Sequence, residues 1–261
     1  MTKPSDGLRV ECPEPGIVHI QLDRVAKRNA IDDSLLQAIE QAFAALDPQV
    51  RAVLLSGCGD HFCAGLDLSE LSERSVAEGI GHSRAWHRAF EQVQFGAAPV
   101  VAVLHGAVVG GGLELAAAAH VRVAEQGAMF ALPEGQRGLF VGGGGSARIP
   151  RLIGHARMTD MMLTGRVLDA DEALAAGLVQ YRVAAGEGLA KGLELARRIA
   201  ANAPLSNFAV QHALPRIADM PQSQALFVES LMAAIAQGDE AAKARLRDFL
   251  EGRADKVRRP Q

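Results

Sequence analysis

The sequence of 261 residues predicts an α/β fold followed by a helical part, and three observations indicate it. Residues 50–56 and 99–105 are short, almost continuous apolar runs, which are typical of strands buried on both faces. Residues 35–46 carry apolar side chains at helical spacing ahead of the first run. From Ala147 onward the pattern is almost wholly helical.

The composition is that of an ordinary folded protein. Apolar residues make up 49% and charged residues 22%, which disfavours disorder, collagen and coiled coil. A formal net charge of −3 indicates neither a nucleic acid nor an anionic membrane as partner. Cys12, Cys58 and Cys63 are an odd number without C-x-x-C spacing, so we expect reduced thiols in a cytoplasmic protein.

Neither a secretory signal nor a membrane span is expected. Residues 1–16 lack an apolar core. Residues 97–119 are apolar, but Glu114 near the end of that run would cost about 2.5 kcal/mol or more in a bilayer. We therefore predict a buried strand, a glycine turn and a buried helix there.

The first half should contain a hairpin, a helix and a long loop. Val18, Ile20 and Leu22 alternate with polar residues after a turn, which predicts a strand with one solvent-exposed face. A helix should begin near Asp32. Residues 67–95 predict a long loop that becomes helical near Trp86 and covers a site.

The second half should contain short strands at 121–124 and 128–131, then a glycine turn at 142–145 and helices. We expect the helices near residues 171–176, 188–201, 204–217, 222–237 and 240–252. The change in pattern predicts a core of residues 1–195 and a helical part of residues 196–261, with no linker or internal repeat.

Gly110, Gly111 and Gly112 stand between a buried strand and an apolar helix. Free backbone N–H groups at such a helix start suit an anion or a developing oxyanion, although the glycines can equally serve tight packing. The spacing matches neither G-x-G-x-x-G nor a P-loop. Glu114 lies one turn inside this helix, and Glu134 follows Pro133. Two carboxyls in one pocket could divide acid and base duties.

Several motifs resemble the crotonase family, the enoyl-CoA hydratase/isomerase superfamily. The segment His105-Gly-Ala-Val-Val-Gly-Gly-Gly-Leu-Glu-Leu-Ala116 is similar to its signature. Other motifs agree in order over most of residues 10–255, and they are Leu22-Asp-Arg24 to Asn29-Ala30, Phe62-Cys-Ala-Gly-Leu-Asp67, Pro133-Glu134, Arg151-Leu-Ile-Gly154, Leu163-Thr-Gly165 and residues 173–179.

The resemblance implies a crotonase (ClpP-like) spiral of ββα units whose C-terminal helical part serves trimerisation or as a lid. It implies a homotrimer or a dimer of trimers, a CoA thioester substrate, and no metal or separate cofactor. Backbone N–H groups of Ala64 and Gly111 would hold the thioester oxygen, and Glu114 and Glu134 would be the acid/base pair. The expected substrate and CoA contacts are Arg24, Lys27, Arg28, Ala30, Ala64, Gly65, Leu66, Asp67, Leu68, Gly110, Gly111, Pro133, Phe140, Phe249 and Lys256.

The expected reaction is the addition of water to a 2-enoyl-CoA, because hydratases of the family use two glutamates. Double-bond isomerisation or another thioester-enolate reaction, such as retro-aldol cleavage, is the first alternative. A non-catalytic CoA-binding or scaffold protein is the second. Phe140 and Val141 replace the usual Ile-Pro and should reshape the acyl pocket, and Lys27 and Arg28 could equally be solvated.

Other candidates have simpler interpretations. Cys63 is expected to pack rather than to act as a nucleophile, and Asp67 to cap a helix rather than to act as an acid or base. His61, His105 and His120 lack metal-ligand spacing, and Ser146 lacks the nucleophile-elbow motif. Trp86, Phe90 and Phe95 could line an acyl pocket, but helical spacing favours the core.

Overall fold

The computed structural model describes residues 7–70 and 73–253, and it confirms the α/β class. Contacts divide the chain into two units, residues 1–200 and residues 201–261. The strands of the first unit are β1 (Leu8–Glu14), β2 (Ile17–Leu22), β3 (Ala52–Gly57), β4 (Val100–Leu104), β5 (Ala107–Val109), β6 (Val121–Glu125), β7 (Met129–Ala131) and β8 (Tyr181–Val183). Its helices are α1 (Asp33–Ala44), α2 (Val76–Phe95), α3 (Gly111–Ala118), α4 (Gly145–Ile153), α5 (His155–Thr164), α6 (Ala170–Ala176) and α7 (Gly188–Ala200).

Two sheets organise the first unit. The larger sheet has the order β1-β2-β3-β4-β6-β8, in which only the β1–β2 pair is antiparallel. The smaller sheet pairs β5 with β7 in parallel. Because β4, β5 and α3 follow one another directly, the chain leaves the larger sheet, adds a strand to the smaller one and then enters a helix. This is the ββα unit that the resemblance implied.

Strand β2 is buried on both faces, so the prediction of a solvent-exposed face is wrong. Helix α7 packs over the larger sheet, where Leu195 joins Ile17 and Leu54 in an apolar cluster. On the same face, the imidazole Nε2 of His19 lies 2.8 Å from the hydroxyl of Ser56. A polar side chain can occupy a buried strand position when it has such a partner.

Helix α2 begins earlier than predicted. Ser75 caps it, and the side chain of Glu78 returns to the Ser75 N–H, so the two form a capping box. Residues 76–95 of the predicted long loop are therefore helical, and a short 3₁₀-helix lies at Leu68–Glu70. The hairpin and the α1 start are confirmed, since Asp32 accepts the Leu35 N–H at 2.8 Å. Strand β8 was not predicted.

The second unit is helical, as predicted, and α7 extends through the predicted boundary at residue 195 as part of the first unit. Its elements are α8 (Pro204–Phe208), a π-helical turn (Ala209–Ala213), α9 (Leu214–Ala218), α10 (Gln222–Gly238) and α11 (Glu240–Leu250). Its proposed role in trimerisation or as a lid stays a prediction. None of the helices in the described ranges is long and apolar enough to cross a membrane.

Candidate active site

The turn between β5 and α3 depends on Gly110. Its φ of 52° is in the left-handed region, and a Cβ there would lie 2.8 Å from the Glu134 Oε1. The Gly110 N–H donates to the Ala131 carbonyl oxygen, which connects the turn to the end of β7. Glycine at this position therefore lets the Glu134 carboxyl approach the start of α3.

Glu114 is almost completely buried, with 3% of its surface exposed. Its Oε1 accepts the backbone N–H groups of Gly143 and Gly145, each at 2.8 Å. Burial raises the pKa of Glu114, while these N–H donors and the charge of Arg148 act to lower it. The carboxyl is thus held in one orientation by a loop that surrounds it with donors.

Glu134 has a different environment. It precedes a short 3₁₀-helix, Gly135–Arg137, and its Oε2 is buried without a hydrogen-bond partner among the described residues. Burial first, and then the negative charge of Glu114, raise the pKa of Glu134 to about 7. At this pKa Glu134 is half-protonated near neutral pH, and it lacks the N–H donors that hold Glu114, so the two carboxyls have unlike environments in one site.

Two backbone segments meet where an oxyanion could bind. A Cβ on Gly65 would lie 2.7 Å from the Val109 carbonyl oxygen and 3.3 Å from the Gly111 nitrogen, so the two backbone segments are in contact there. The Ala64 N–H donates to the Arg28 carbonyl oxygen at 3.0 Å. That bond contradicts the prediction that Ala64 holds the thioester oxygen.

Leu66 supplies the free donor instead. Its nitrogen lies 3.6 Å from the position of a Cβ on Gly111, and no acceptor for its N–H occurs among the described residues. The Gly111 N–H, in the first turn of α3, also lacks an acceptor in the described part of the chain. The two free donors on the facing segments are therefore Leu66 and Gly111.

These groups line one cavity of about 390 Å³. Both carboxyls reach it, and so do Gly110 and Gly111. Trp86 forms part of the wall and contacts the edge of Phe90 at a ring-centre distance of 5.4 Å. The predicted wall residues Ala64, Gly65, Leu66, Leu68, Pro133, Phe140 and Val141 are all present, together with the cations Arg74 and Arg137.

Comparison with known proteins gives this arrangement its family. The family description "Enoyl-CoA hydratase/isomerase" matches residues 13–258. This chain belongs to the enoyl-CoA hydratase/isomerase family. It is 30% identical over 243 residues to the short-chain-enoyl-CoA hydratase of Clostridium acetobutylicum, covering 92% of this chain and 93% of that protein. It is 35% identical over 225 residues to an enoyl-CoA isomerase/hydratase of Mycosarcoma maydis, covering 82% of each.

Solved structures of the family confirm the crotonase fold. A Rhodopseudomonas palustris protein provisionally called an enoyl-CoA hydratase superposes with a TM-score of 0.92 at 53% identity, over 97% of this chain and 98% of that one. The enoyl-CoA hydratase of Bacillus anthracis gives a TM-score of 0.89 at 29% identity, over 95% and 97%.

Four residues expected to contact the substrate or CoA do not line the cavity, and they are Arg24, Lys27, Arg28 and Ala30. Arg24 pairs with Asp32 at 2.8 Å and with Asp67 at 3.1 Å, and it also donates to the Ala30 carbonyl oxygen. Lys27 and Arg28 are exposed on the following turn, and the Lys27 ammonium lies 3.7 Å from Asp67. The Arg24 guanidinium is thus already paired with groups of this chain. The CoA contacts of this segment stay predictions.

Asp67 caps the short 3₁₀-helix, as predicted. Its Oδ1 accepts the Ser69 N–H at 3.0 Å and the Ser69 hydroxyl at 2.7 Å. These bonds and the Arg24 guanidinium hold the pKa of Asp67 at about 2, so it is ionised at neutral pH.

The minor candidates have structural roles in the fold. Burial raises the pKa of Cys63 to about 12, which excludes a thiolate nucleophile at neutral pH. The three candidate histidines each form a hydrogen bond with a backbone group. His61 accepts the Ala107 N–H, and His120 accepts the Val100 N–H. His105 Nε2 lies 2.9 Å from the Gly59 carbonyl oxygen. No group of three or more His, Cys, Asp or Glu within residues 7–70 and 73–253 could hold a metal ion.

The remaining predicted residues divide by location. Phe90 lies in the core, Phe95 is partly buried, and Ser146 is exposed on α4. Phe249 is exposed on α11 in the second unit, and Lys256 lies outside the described residues. Sequence reasoning missed the polar partners of the glycine loop, Ser83 and Arg148, because their role depends on contacts between separate elements.

Proposed function

We propose that this chain is an enoyl-CoA hydratase that adds water across the double bond of a 2-enoyl-CoA thioester. The observation that carries the proposal is the pair of carboxyls in one cavity, since Glu114 accepts two N–H donors and Glu134 has an unpartnered oxygen. Family membership supports a CoA thioester as the substrate class.

In the proposed reaction, Glu114 is the base. The Gly143 and Gly145 N–H groups fix its Oε1, and the carboxylate held in this way orients a water molecule and takes its proton. The water oxygen forms a bond to the β-carbon, and the electron pair of the double bond moves onto the thioester oxygen. The N–H groups of Leu66 and Gly111 hold that oxyanion, and each such donor is typically worth about 2.7 to 4 kcal/mol.

Glu134 is the proposed acid. Its raised pKa, about 7, keeps a large protonated fraction at neutral pH. The enolate collapses by taking this proton on the α-carbon, so one water adds in total and Glu134 becomes a carboxylate. Glu114 then releases its proton to solvent, and Glu134 takes up a proton from solvent.

Isomerisation of the double bond is the second candidate. It needs a single carboxyl that moves a proton between two carbons, and Glu134 alone could supply it. The isomerase/hydratase name of the Mycosarcoma maydis relative favours keeping this candidate. A non-catalytic binding protein has no need of two carboxyls in unlike environments.

The test follows the loss of the conjugated thioester absorbance of crotonyl-CoA, with the product identified by mass. We expect Glu114→Gln and Glu134→Gln to lower the rate by roughly 10² to 10⁴ each, the range of general acid–base catalysis. Titration calorimetry with CoA controls for binding in the variants. A folded wild type that binds CoA but hydrates neither crotonyl-CoA nor longer enoyl-CoAs would contradict the proposal.

Assembly, location and cofactor need belong to the same proposal. We expect a homotrimer or a dimer of trimers by light scattering, a cytoplasmic location by cell fractionation, and turnover that survives dialysis against a metal chelator, because the proposed steps use only carboxyls and backbone N–H groups.

A further inference from the structure

The segment that holds Glu114 contains four consecutive glycines, Gly142–Gly145. Glycine loses more conformational freedom on folding than any other residue, so such a segment does not keep a fixed shape by itself. Two of its N–H groups nevertheless converge on one oxygen of Glu114, each at 2.8 Å. Something outside the segment must hold it in this shape.

Three carbonyl oxygens of the segment accept hydrogen bonds. The Ser83 hydroxyl donates to the Gly142 oxygen at 2.7 Å. The Arg148 Nη1 donates to the Gly143 oxygen at 3.0 Å. The Gly144 oxygen accepts the N–H groups of Ala147 and Arg148 in the first turn of α4, each at 3.1 Å. The peptides that present N–H groups to Glu114 are thus fixed at their opposite ends.

Arg148 is itself held in place. Its Nε donates to the Gln94 side-chain oxygen at 2.6 Å, at the end of α2. Its guanidinium lies directly against Gly144, where a Cβ would come within contact distance of Nη1. The partly buried guanidinium therefore spans from α2 to the glycine segment, a geometry that needs its two separate donor atoms.

We propose that Arg148, through its simultaneous bonds to Gln94 and Gly143, is a positioning residue that fixes the Gly142–Gly145 segment and thereby the orientation of Glu114. The inference rests on the proposed hydratase function for its kinetic consequence. Arg148 binds the peptide between Gly143 and Gly144, which joins the two peptides that donate to Glu114, and Ser83 holds the first of those two at the Gly142 oxygen.

Three charged groups enter the electrostatics of this unit. The positive charge of Arg148 and the loop N–H groups act to lower the pKa of Glu114, Glu134 interacts with Glu114 across the cavity, and Glu91 on α2 acts on Arg148. Loss of the guanidinium removes a positive charge and loosens the N–H donors, so both effects raise the pKa of Glu114. The acid limb of the pH–rate profile, below which the base is protonated, should then move to higher pH.

The test compares Arg148→Met with wild type on crotonyl-CoA and uses Arg151→Met as the matched control. Arg151 lies on the same helix, is exposed and bonds the Ala147 carbonyl oxygen. We expect Arg148→Met to lower kcat by on the order of 10- to 100-fold with KM nearly unchanged, and to move the acid limb upward. Arg151→Met should retain kcat, KM and the limb.

A second readout does not depend on turnover. The Glu114 carboxyl is titrated by ¹³C NMR in protein labelled at glutamate, with Glu114→Gln for assignment, and its midpoint should rise in Arg148→Met. If wild type shows no hydration but the midpoint rises, the positioning role stands and the proposed reaction fails. A folded Arg148→Met with unchanged midpoint, kcat and acid limb overturns the inference. A lower kcat with neither a shifted limb nor a shifted midpoint overturns it as well.

Arg148→Lys covers the case in which the methionine variant does not fold. Lysine keeps the charge but cannot donate to Gln94 and Gly143 through separate nitrogen atoms at fixed spacing. We expect a reduced kcat and an acid limb between those of wild type and Arg148→Met. Full recovery of kcat in Arg148→Lys would show that charge alone acts and would overturn the positioning role.

Discussion

The substitution Gly111→Ala tests whether the start of α3 contributes an oxyanion donor. The Cβ of an alanine there would lie 2.5 Å from Cζ3 and 2.8 Å from Cη2 of Trp86. Ordinary contact begins at 3.4 Å, so the start of α3 and the indole must move apart by about 0.9 Å (3.4 − 2.5). The Trp86 ring is buried against Phe90 and cannot simply rotate away.

The displaced atom is one of the two proposed oxyanion donors. Because a displacement of about 1 Å can cost 10²-fold and the loss of one donor costs about 10²- to 10³-fold, we expect Gly111→Ala to lower kcat for crotonyl-CoA by that range. Gly81→Ala is the control, since a Cβ at Gly81 on α2 meets no atom within 4 Å. It should keep kcat and stabilise α2 by up to about 1 kcal/mol.

A folded Gly111→Ala protein with kcat within a few-fold of wild type would refute the reasoning. Urea unfolding distinguishes a rate lost through a displaced donor from a rate lost through unfolding. A protein that has only lost stability has its normal rate when it is assayed well below its unfolding midpoint. A rate that stays low in fully folded protein is the expected outcome.

Three further predictions concern ionisable side chains. Glu134 keeps a proton in the folded state up to a pKa of about 7, whereas the unfolded chain loses it near 4.5, so wild-type stability should decline from about pH 4.5 to about pH 7. In urea titrations Glu134→Gln should show a smaller decline than wild type, and an identical decline would contradict the prediction. Asp67→Asn should destabilise the fold by about 1 to 3 kcal/mol at pH 7. The folded-state pKa of about 2 means that the ionised carboxyl stabilises the fold above pH 3.8 and that this stability is lost as the pH falls toward 2. Equal melting temperatures of both proteins at pH 7 would count against the prediction. Iodoacetamide at neutral pH should label the exposed Cys12 and should not label Cys63, whose pKa is about 12, as measured by mass spectrometry. Rapid labelling of Cys63 in folded protein would show that burial does not protect it.

Local signals predicted the half of the site that one element builds. The turn Gly110–Gly112 and the helix that carries Glu114 are adjacent in the chain, and a carboxylate inside an apolar helix is visible without any contact map. The position of Glu134 beside that turn was not predictable in this way. It required the resemblance, because Glu134 alone is an ordinary loop residue.

Contacts between distant segments account for the errors. Which N–H near Gly65 remains free depends on whether a carbonyl from the turn at Arg28 approaches it, and Arg28 takes the Ala64 donor. The face of β2 that alternation assigned to solvent is covered by α7, which is contributed by a much later part of the chain. Ser83 and Arg148 acquire their role only when α2 and α4 meet the glycine segment.

The most direct test of the central claim is the product formed from crotonyl-CoA in water enriched in both ¹⁸O and deuterium. Hydration through Glu114 and Glu134 predicts a product with one ¹⁸O at the β-carbon and one deuterium at the α-carbon, formed far more slowly by Glu114→Gln and by Glu134→Gln. Deuterium incorporation without ¹⁸O, at a rate that survives Glu114→Gln, would contradict hydration and identify a proton-transfer isomerase instead.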